Sequence, residues 1–340
     1  MRIIFLILFA LISLAETTDA AESLNPIEIK EWQVAYGGRS RDPFAESANS
    51  VWFVDQGGQY LARLNPTTDK MTKKSLDDEP GPHNLIVGSD GIVWYSGNLS
   101  GYIGRYDPST GKIEKISMPN KSPRDPDTLV FDKSGKHIWF TAQWGNIVGR
   151  LTIASRKVDL IKVPISRARP YGIIVAPNGV AWVALLGTDK LASVDPLTLK
   201  LTEHRVAAGS RPRRVDATAD GRIYYTDYRR SYLGRLDPKS GKLDEWALPG
   251  GGDSDPYAMA VDKRGRVWVV ETGVDPNTFV GFDPAQKKSS RLHRSPPVPA
   301  VCATCIITNP RIPCGLAPIK IRSGAPLLAN RLSIGPYCRI

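Results

Sequence analysis

Residues 81–108 read GPHNLIVGSDGIVWYSGNLSGYIGRYDP, and the same pattern recurs along the chain. In each copy an apolar run reaches a Gly-containing turn, an aromatic residue follows, and a third run ends at Gly-Arg and Asp-Pro or an equivalent. A fixed repeat period of 40 to 50 residues is typical of repeat architectures. The aligned aromatic residues are separated by 42, 45, 43, 42 and 44 residues and are Trp52, Trp94, Trp139, Trp182, Tyr224 and Trp268.

Each copy predicts four short strands. Two apolar runs joined at a Gly-containing turn predict a β-hairpin. The run that ends at Gly-Arg adds a third strand, and a fourth leads through a Pro-rich loop into the next copy. Four antiparallel strands per repeat are typical of a propeller blade. We therefore predict an all-β, seven-bladed β-propeller of four-stranded antiparallel blades, whose first six blades begin near Asp42, Gly81, Arg124, Arg169, Arg211 and Asp255.

An additional strand precedes the first blade. Residues 27–35 resemble the fourth strand of the other blades, for example residues 242–248, but have no inner strands of their own. In a closed ring such a strand joins the last blade and removes two exposed sheet edges. Six copies and this latch strand predict a seventh blade after about residue 292.

The tail from 295 to 340 does not supply that blade. It has no Trp and no Asp-Gly turn, and it holds all four cysteines of the chain, Cys302, Cys305, Cys314 and Cys338. In a reading frame shifted by two nucleotides, permitted codons for residues 311–326 encode NSLWFGTDQNTIGRA, with the Trp and Ile-Gly-Arg of a blade at the correct spacing. We therefore hypothesise that the tail is a frameshift product and that the seventh blade is incomplete in this chain. A redox or metal site at Cys302 and Cys305 is the alternative, but no second pair completes a zinc set.

The N-terminus predicts export. Residues 1–21 contain one Arg, an apolar run from 3 to 14 and a small-residue end, which is the pattern of a secretory signal peptide. No later segment is long and apolar enough to span a bilayer. The expected organisation is a signal peptide (1–21), a propeller (22–294) and the aberrant tail (295–340), in a protein secreted to the periplasm.

The net charge of +11 does not predict a nucleic-acid partner. Residues 296–340 hold five basic residues and no acidic one, and within the repeats Lys and Arg alternate with Asp and Glu. This distribution is typical of a solvated surface. We expect no nucleic acid and no membrane span in the mature chain, but a small polar ligand on the channel face.

Candidate ligand-binding residues follow the Pro that precedes each innermost strand, because the loops entering these strands converge on one face of the central channel. The set mixes aromatic, basic and acidic side chains, which suits a polar ligand: Phe44, His83, Asp127, Tyr171, Arg213 and Tyr257. Asp55, Asp227 and Glu271 end second strands near the same channel. They predict either a cation site with oxygen ligands or hydrogen bonds to loop amides.

The blade motifs resemble those of the streptogramin lyases, also called virginiamycin B lyases. The resemblance spans about 27–294 and is carried by Pro82-His83, Trp139-Phe140-Thr141, Pro170-Tyr171-Gly172-Ile173 and Asn146-Ile147-Val148-Gly149-Arg150. It implies a seven-bladed propeller that linearises a cyclic depsipeptide antibiotic by elimination across its ester linkage, with a magnesium ion. Such an enzyme is a carbon–oxygen lyase.

The family's elimination uses a Pro-His in one blade and a Glu-Pro-His in the next. His83 matches the first histidine, whereas the next blade reads Asp125-Pro126-Asp127, so that Asp127 replaces the second histidine. The resemblance thus implies His83, Asp125 and Asp127 as catalytic residues. Because aspartate is a weaker base than imidazole, a non-catalytic propeller that binds a small ligand or a partner protein stays open. So does a metal-dependent lactone hydrolase that uses Asp55, Asp227 and Glu271.

The frameshift hypothesis predicts an altered reading frame. Resequencing the gene across the codons for residues 291–326 is expected to reveal one missing or extra base, after which the restored frame encodes a seventh blade without the cysteines. A confirmed sequence identical to the present one contradicts the hypothesis.

Overall fold

The computed structural model describes residues 30–76, 81–119, 125–294 and 319–323. Within these ranges the chain is all-β and forms six four-stranded antiparallel sheets and one two-stranded sheet. The predicted signal peptide lies outside the described residues, as does the tail apart from 319–323. No helix in the described part of the chain is long and apolar enough to cross a membrane.

The six blades follow one another along the chain, and in each the strands pair in sequence order. The first three blades comprise β2 (Ser40–Ser47), β3 (Ser50–Asp55), β4 (Tyr60–Asn65) and β5 (Lys70–Ser75); β6 (Pro82–Val87), β7 (Val93–Gly97), β8 (Tyr102–Tyr106) and β9 (Ile113–Ser117); and β10 (Pro126–Phe131), β11 (His137–Ala142), β12 (Ile147–Thr152) and β13 (Val158–Lys162).

The next three blades continue the same pattern. They comprise β14 (Pro170–Val175), β15 (Ala181–Leu185), β16 (Lys190–Val194) and β17 (Leu201–Arg205); β18 (Pro212–Ala217), β19 (Ile223–Asp227), β20 (Tyr232–Leu236) and β21 (Leu243–Ala247); and β22 (Pro256–Val261), β23 (Val267–Glu271), β24 (Thr278–Asp283) and β25 (Lys288–Arg294).

The repeat pattern located these blades correctly. The first strands of successive blades contact one another, so they line the centre of the propeller ring. Six blades are present among the described residues. The predicted seventh blade falls mainly on residues 295–318 and 324–340, which lie outside them.

A strand, β1 (Lys30–Val34), lies within the segment predicted as a latch. Its Trp32 and Val34 pack against Val51 and Phe53 of the first blade, on the face opposite to the one that meets the second blade. This is the face that a seventh blade would cover. Among the described residues, β1 pairs in parallel with β26 (Ile319–Ser323).

The Gly of the Gly-Arg motif, on the third strand of a blade, provides space for an aromatic ring on the second strand. Gly149 lies opposite Phe140, and a Cβ atom added at Gly149 would be 2.0 Å from the ring's Cζ. Gly104 and Gly234 face Tyr95 and Tyr225 in the same way. In the fourth blade, where the facing residue is the smaller Val183, Ala192 occupies the equivalent position. In the first blade Phe53 faces Ala62, so the glycine is required where the ring lies directly over it, as at Gly149, and not in every blade.

The Arg of the same motif covers the aromatic residue that defines the repeat. Arg150 pairs in register with Trp139, and its guanidinium lies 5.6 Å from the ring centroid. It also contacts the carboxylate of Asp159 at 3.0 Å. The stacked arginine shields the ring's outer face, and Trp139 is 1% exposed.

This packing predicts a coupled pair of substitutions. Gly149→Ala is expected to destabilise the protein by about 1–3 kcal/mol because it overpacks Phe140, and Phe140→Val destabilises it by leaving a cavity. The double variant recreates the Val–Ala pair of the fourth blade, so its loss in the free energy of unfolding should be smaller than the sum of the two single losses. Urea denaturation of the four proteins measures this coupling; additive losses contradict it.

Candidate functional site

A register shift near the start of every innermost strand aims one residue into the central channel. In blades two to six the first strand begins with a Pro paired to the last residue of the second strand, and the register then shifts. Such bulges re-aim side chains. In the first blade Ser40 takes the place of this Pro, opposite Asp55. The six residues that follow are Arg41, His83, Asp127, Tyr171, Arg213 and Tyr257.

Phe44 is therefore not a member of this ring. It pairs with Trp52 and packs against the apolar cores on either side of the second blade. Phe44 was predicted to line the channel because Pro43 precedes it. In the structure, however, Ser40 occupies the position that the strand-initiating Pro holds in the other blades. Arg41 holds the ring position instead, and only the strand register reveals this.

His83 and Asp127 are brought together from neighbouring blades. The His83 Nδ1 atom lies 2.7 Å from Asp127 Oδ1, although the approach is outside hydrogen-bond geometry. Both residues are buried. Burial lowers the pKa of His83 and the nearby Arg41 lowers it further, while the carboxylates oppose this; the pKa of His83 lies below its ordinary value of 6.5. The imidazole is therefore neutral at neutral pH.

A second layer of polar residues surrounds this pair, one position further along the innermost strands. Asp42 Oδ2 lies 3.6 Å from His83 Nδ1 and accepts a hydrogen bond from Asn84 Nδ2 at 3.4 Å. Arg214 lies 3.6 Å from the other oxygen of Asp42 and donates to Thr128 Oγ1 at 3.1 Å. The contacts of Arg214 cross the channel, because it belongs to the fifth blade. Sequence reasoning missed Asp42 and Arg214, which the repeat alignment places one residue beyond the ring.

The opposite side of the channel is an aromatic enclosure around Arg213. Its guanidinium carbon lies 3.8 Å from the ring centroid of Tyr257, 4.6 Å from that of Tyr171 and 4.9 Å from that of Tyr228. Arg213 Nη2 also donates to the Tyr171 hydroxyl at 3.3 Å. A cation held over aromatic faces is fixed in position and keeps its charge. The channel thus has a His-carboxylate side and an Arg-aromatic side.

Comparison with known proteins agrees with this architecture. A sequence model of the Virginiamycin B lyase family matches residues 28–276. The chain belongs to the virginiamycin B lyase family. No curated protein matches it in sequence.

Solved structures of lyases share the fold of this family member. A streptogramin B lyase structure superposes with a TM-score of 0.70 at 19% identity, covering 78% of this chain and 86% of the other. The selenomethionine-substituted virginiamycin B lyase from Staphylococcus aureus gives 0.67 at 21% identity, covering 75% and 84%. A catalytically inactive form of that enzyme with quinupristin gives 0.67 at 20% identity, with the same coverage.

Asp125, which stands where the virginiamycin B lyase motif has Glu, organises a loop. Its carboxylate accepts hydrogen bonds from the backbone amides of Trp144 and Gly145, the latter at 2.9 Å. Burial raises the pKa of Asp125 to about 6, and the neighbouring charge of Asp127 contributes. Asp125 thus lies near Asp127, but it does not contact His83 directly.

The three acids predicted either to bind a cation or to accept hydrogen bonds from loop amides all contact loop amides. Asp55 accepts from the Arg39 amide and the Ser40 hydroxyl, both at 2.8 Å. Asp227 accepts from the Arg211 amide at 3.0 Å and pairs with Arg230 at 2.6 Å, and Glu271 accepts from the Gly250 amide at 2.6 Å. No group of three His, Cys, Asp or Glu side chains suited to a metal occurs among the described residues. These residues do not fit a shared magnesium site.

The remaining histidines lie outside the ring positions. His137 contacts Asp132 at 2.9 Å, next to a turn. His204 contacts Ser193 Oγ at 2.8 Å on an outermost strand and stacks on Trp182. His293 belongs to β25, the outermost strand of the sixth blade. His83 is the histidine that the ring register places at the channel.

Proposed function

We propose that the protein is an exported carbon–oxygen lyase that opens a cyclic depsipeptide by elimination across its ester, with His83 as the general base. The observation that carries the proposal is the 2.7 Å contact between His83 and Asp127, buried in the channel. Membership of the virginiamycin B lyase family supports the reaction class, and the N-terminal 21 residues support export.

Asp127 acts as a positioning residue for His83. An ionised carboxylate next to Nδ1 favours the tautomer with the proton on Nδ1, and a small ring rotation aligns that N–H with the carboxylate. This leaves the Nε2 lone pair to accept a proton. Asp127 therefore orients the base and does not replace the missing second histidine in proton transfer.

A neutral imidazole at His83 can act as the base of the elimination. Nε2 of His83 removes the proton from the carbon next to a carbonyl of the depsipeptide, and the electron pair forms a carbon–carbon double bond. The bond from the neighbouring carbon to the ester oxygen breaks, and its electron pair leaves with that oxygen as a carboxylate. No atom is added, so the linear product has the mass of the ring.

The arginines of the channel suit the charge that develops. Arg213 and Arg214 are fixed by tyrosine faces and by Asp42, so they need no reorganisation during the reaction. Preorganised positive charge stabilises a leaving carboxylate more strongly in a buried site than in water. Tyr257, which is partly exposed, provides aromatic surface against which a cyclic ester ligand packs, and the buried Tyr171 supports Arg213 behind it.

Variants of the two central residues test the proposal with quinupristin as substrate. The wild-type protein should convert it to a linear product of unchanged mass, whereas hydrolysis would add one water. His83→Ala should lower kcat by about 10²-fold or more, the usual contribution of a general base, and Asp127→Asn should lower it less. His137→Gln, a histidine outside the channel, is the control and should retain full activity. Binding of quinupristin without turnover by wild type favours the non-catalytic binding propeller.

The pH dependence of the reaction has a defined direction. Only neutral His83 accepts a proton, and its pKa is lowered by burial. Activity should therefore persist below pH 6.5 and be lost only as the pH falls through the lowered value. An acid limb of kcat/KM above pH 6.5 contradicts the assignment.

A further inference from the structure

A second polar cavity lies between the entry loops of the fourth and fifth blades. Its volume is about 490 Å³, and four arginines line it. Arg167 and Arg169 precede β14, Arg211 precedes β18, and Arg229 lies in the turn after β19. We name these four residues and the space between them the arginine pocket.

The arginine pocket carries an excess of positive charge. One carboxylate, that of Asp189, also lines it. In the described ranges no carboxylate lies within ion-pair distance of any of the four guanidinium groups. Burial lowers the pKa of Arg211, and the charges of Arg169 and Arg229 lower it further. Like charges held together without counter-charge favour binding of an anion.

The surrounding loops hold the arginines in place. Arg167 and Arg169 both adopt left-handed backbone conformations, with φ of 57° and 52°. The Arg169 guanidinium lies 4.6 Å from the ring centroid of Trp144, so its planar group is oriented by stacking. Arg211 Nε donates to the Leu186 carbonyl at 3.4 Å. Guanidinium groups fixed in this way are suited to binding oxyanions.

We propose that the arginine pocket binds the dianionic, phosphate-class oxyanion of a small-molecule ligand. Several guanidinium groups around one space match the oxygens of such an anion, and the volume accommodates a ligand larger than the anion alone. The proposal uses none of the residues assigned to elimination and does not depend on that activity.

Isothermal titration of the full chain with inorganic phosphate, at constant ionic strength, tests the proposal. Wild type should bind phosphate saturably, and phosphate should raise its melting temperature while chloride does not. Arg211→Gln and Arg229→Gln should weaken binding about tenfold or more. His83→Ala should bind phosphate as wild type does.

Lys239→Gln is the matched control. Lys239 is exposed in the turn at the other end of β20 from Arg229, and its replacement removes the same single charge. If it weakens phosphate binding as much as Arg229→Gln, or if wild type does not bind phosphate, the proposal is overturned. Should Arg211→Gln lose its cooperative melting transition, the comparison of Arg229→Gln with Lys239→Gln, both at exposed positions, decides the outcome.

Discussion

The register shift at the start of each innermost strand is the constraint on which the channel depends. A regular ladder would alternate side chains between the two faces of each blade and bury them between blades. The shift turns one residue of each blade towards the centre, while the next residues return to the apolar cores. As a result, six side chains far apart in sequence form one ring. His83 meets Asp127 because adjacent blades repeat this geometry about one period apart.

The two sides of the ring have different physical properties. On one side, burial keeps His83 neutral while Asp42 and Asp127 hold negative charge close to it. On the other side, tyrosine faces surround a permanent cation, Arg213. Arg214 reaches across and contacts Asp42, which links the two sides. A base on one wall and fixed positive charge on the other suit a reaction that removes a proton and releases an anion.

The repeat spacing was sufficient to predict the blades, because an aromatic residue recurs in the second strand of every blade at intervals of 42 to 45 residues. It also located five of the six ring positions, since each follows a strand-initiating Pro. It failed in the first blade, where Ser40 replaces the Pro and Pro43 gives a false signal. Cross-channel contacts such as that of Arg214 with Thr128 join residues two blades apart, and no local pattern encodes them. The loop roles of Asp55, Asp125 and Asp227 likewise depend on which backbone amides the fold brings close.

The state of His83 is the most direct test of the account. Nitrogen-15 NMR of the histidine side chains, recorded across a pH titration, reports both the tautomer and the pKa of each ring. His83 is expected to carry its proton on Nδ1, facing Asp127, and to stay neutral at pH 6.5. A His83 that is mostly protonated at that pH, or that carries its proton on Nε2, contradicts the proposed base and the role given to Asp127.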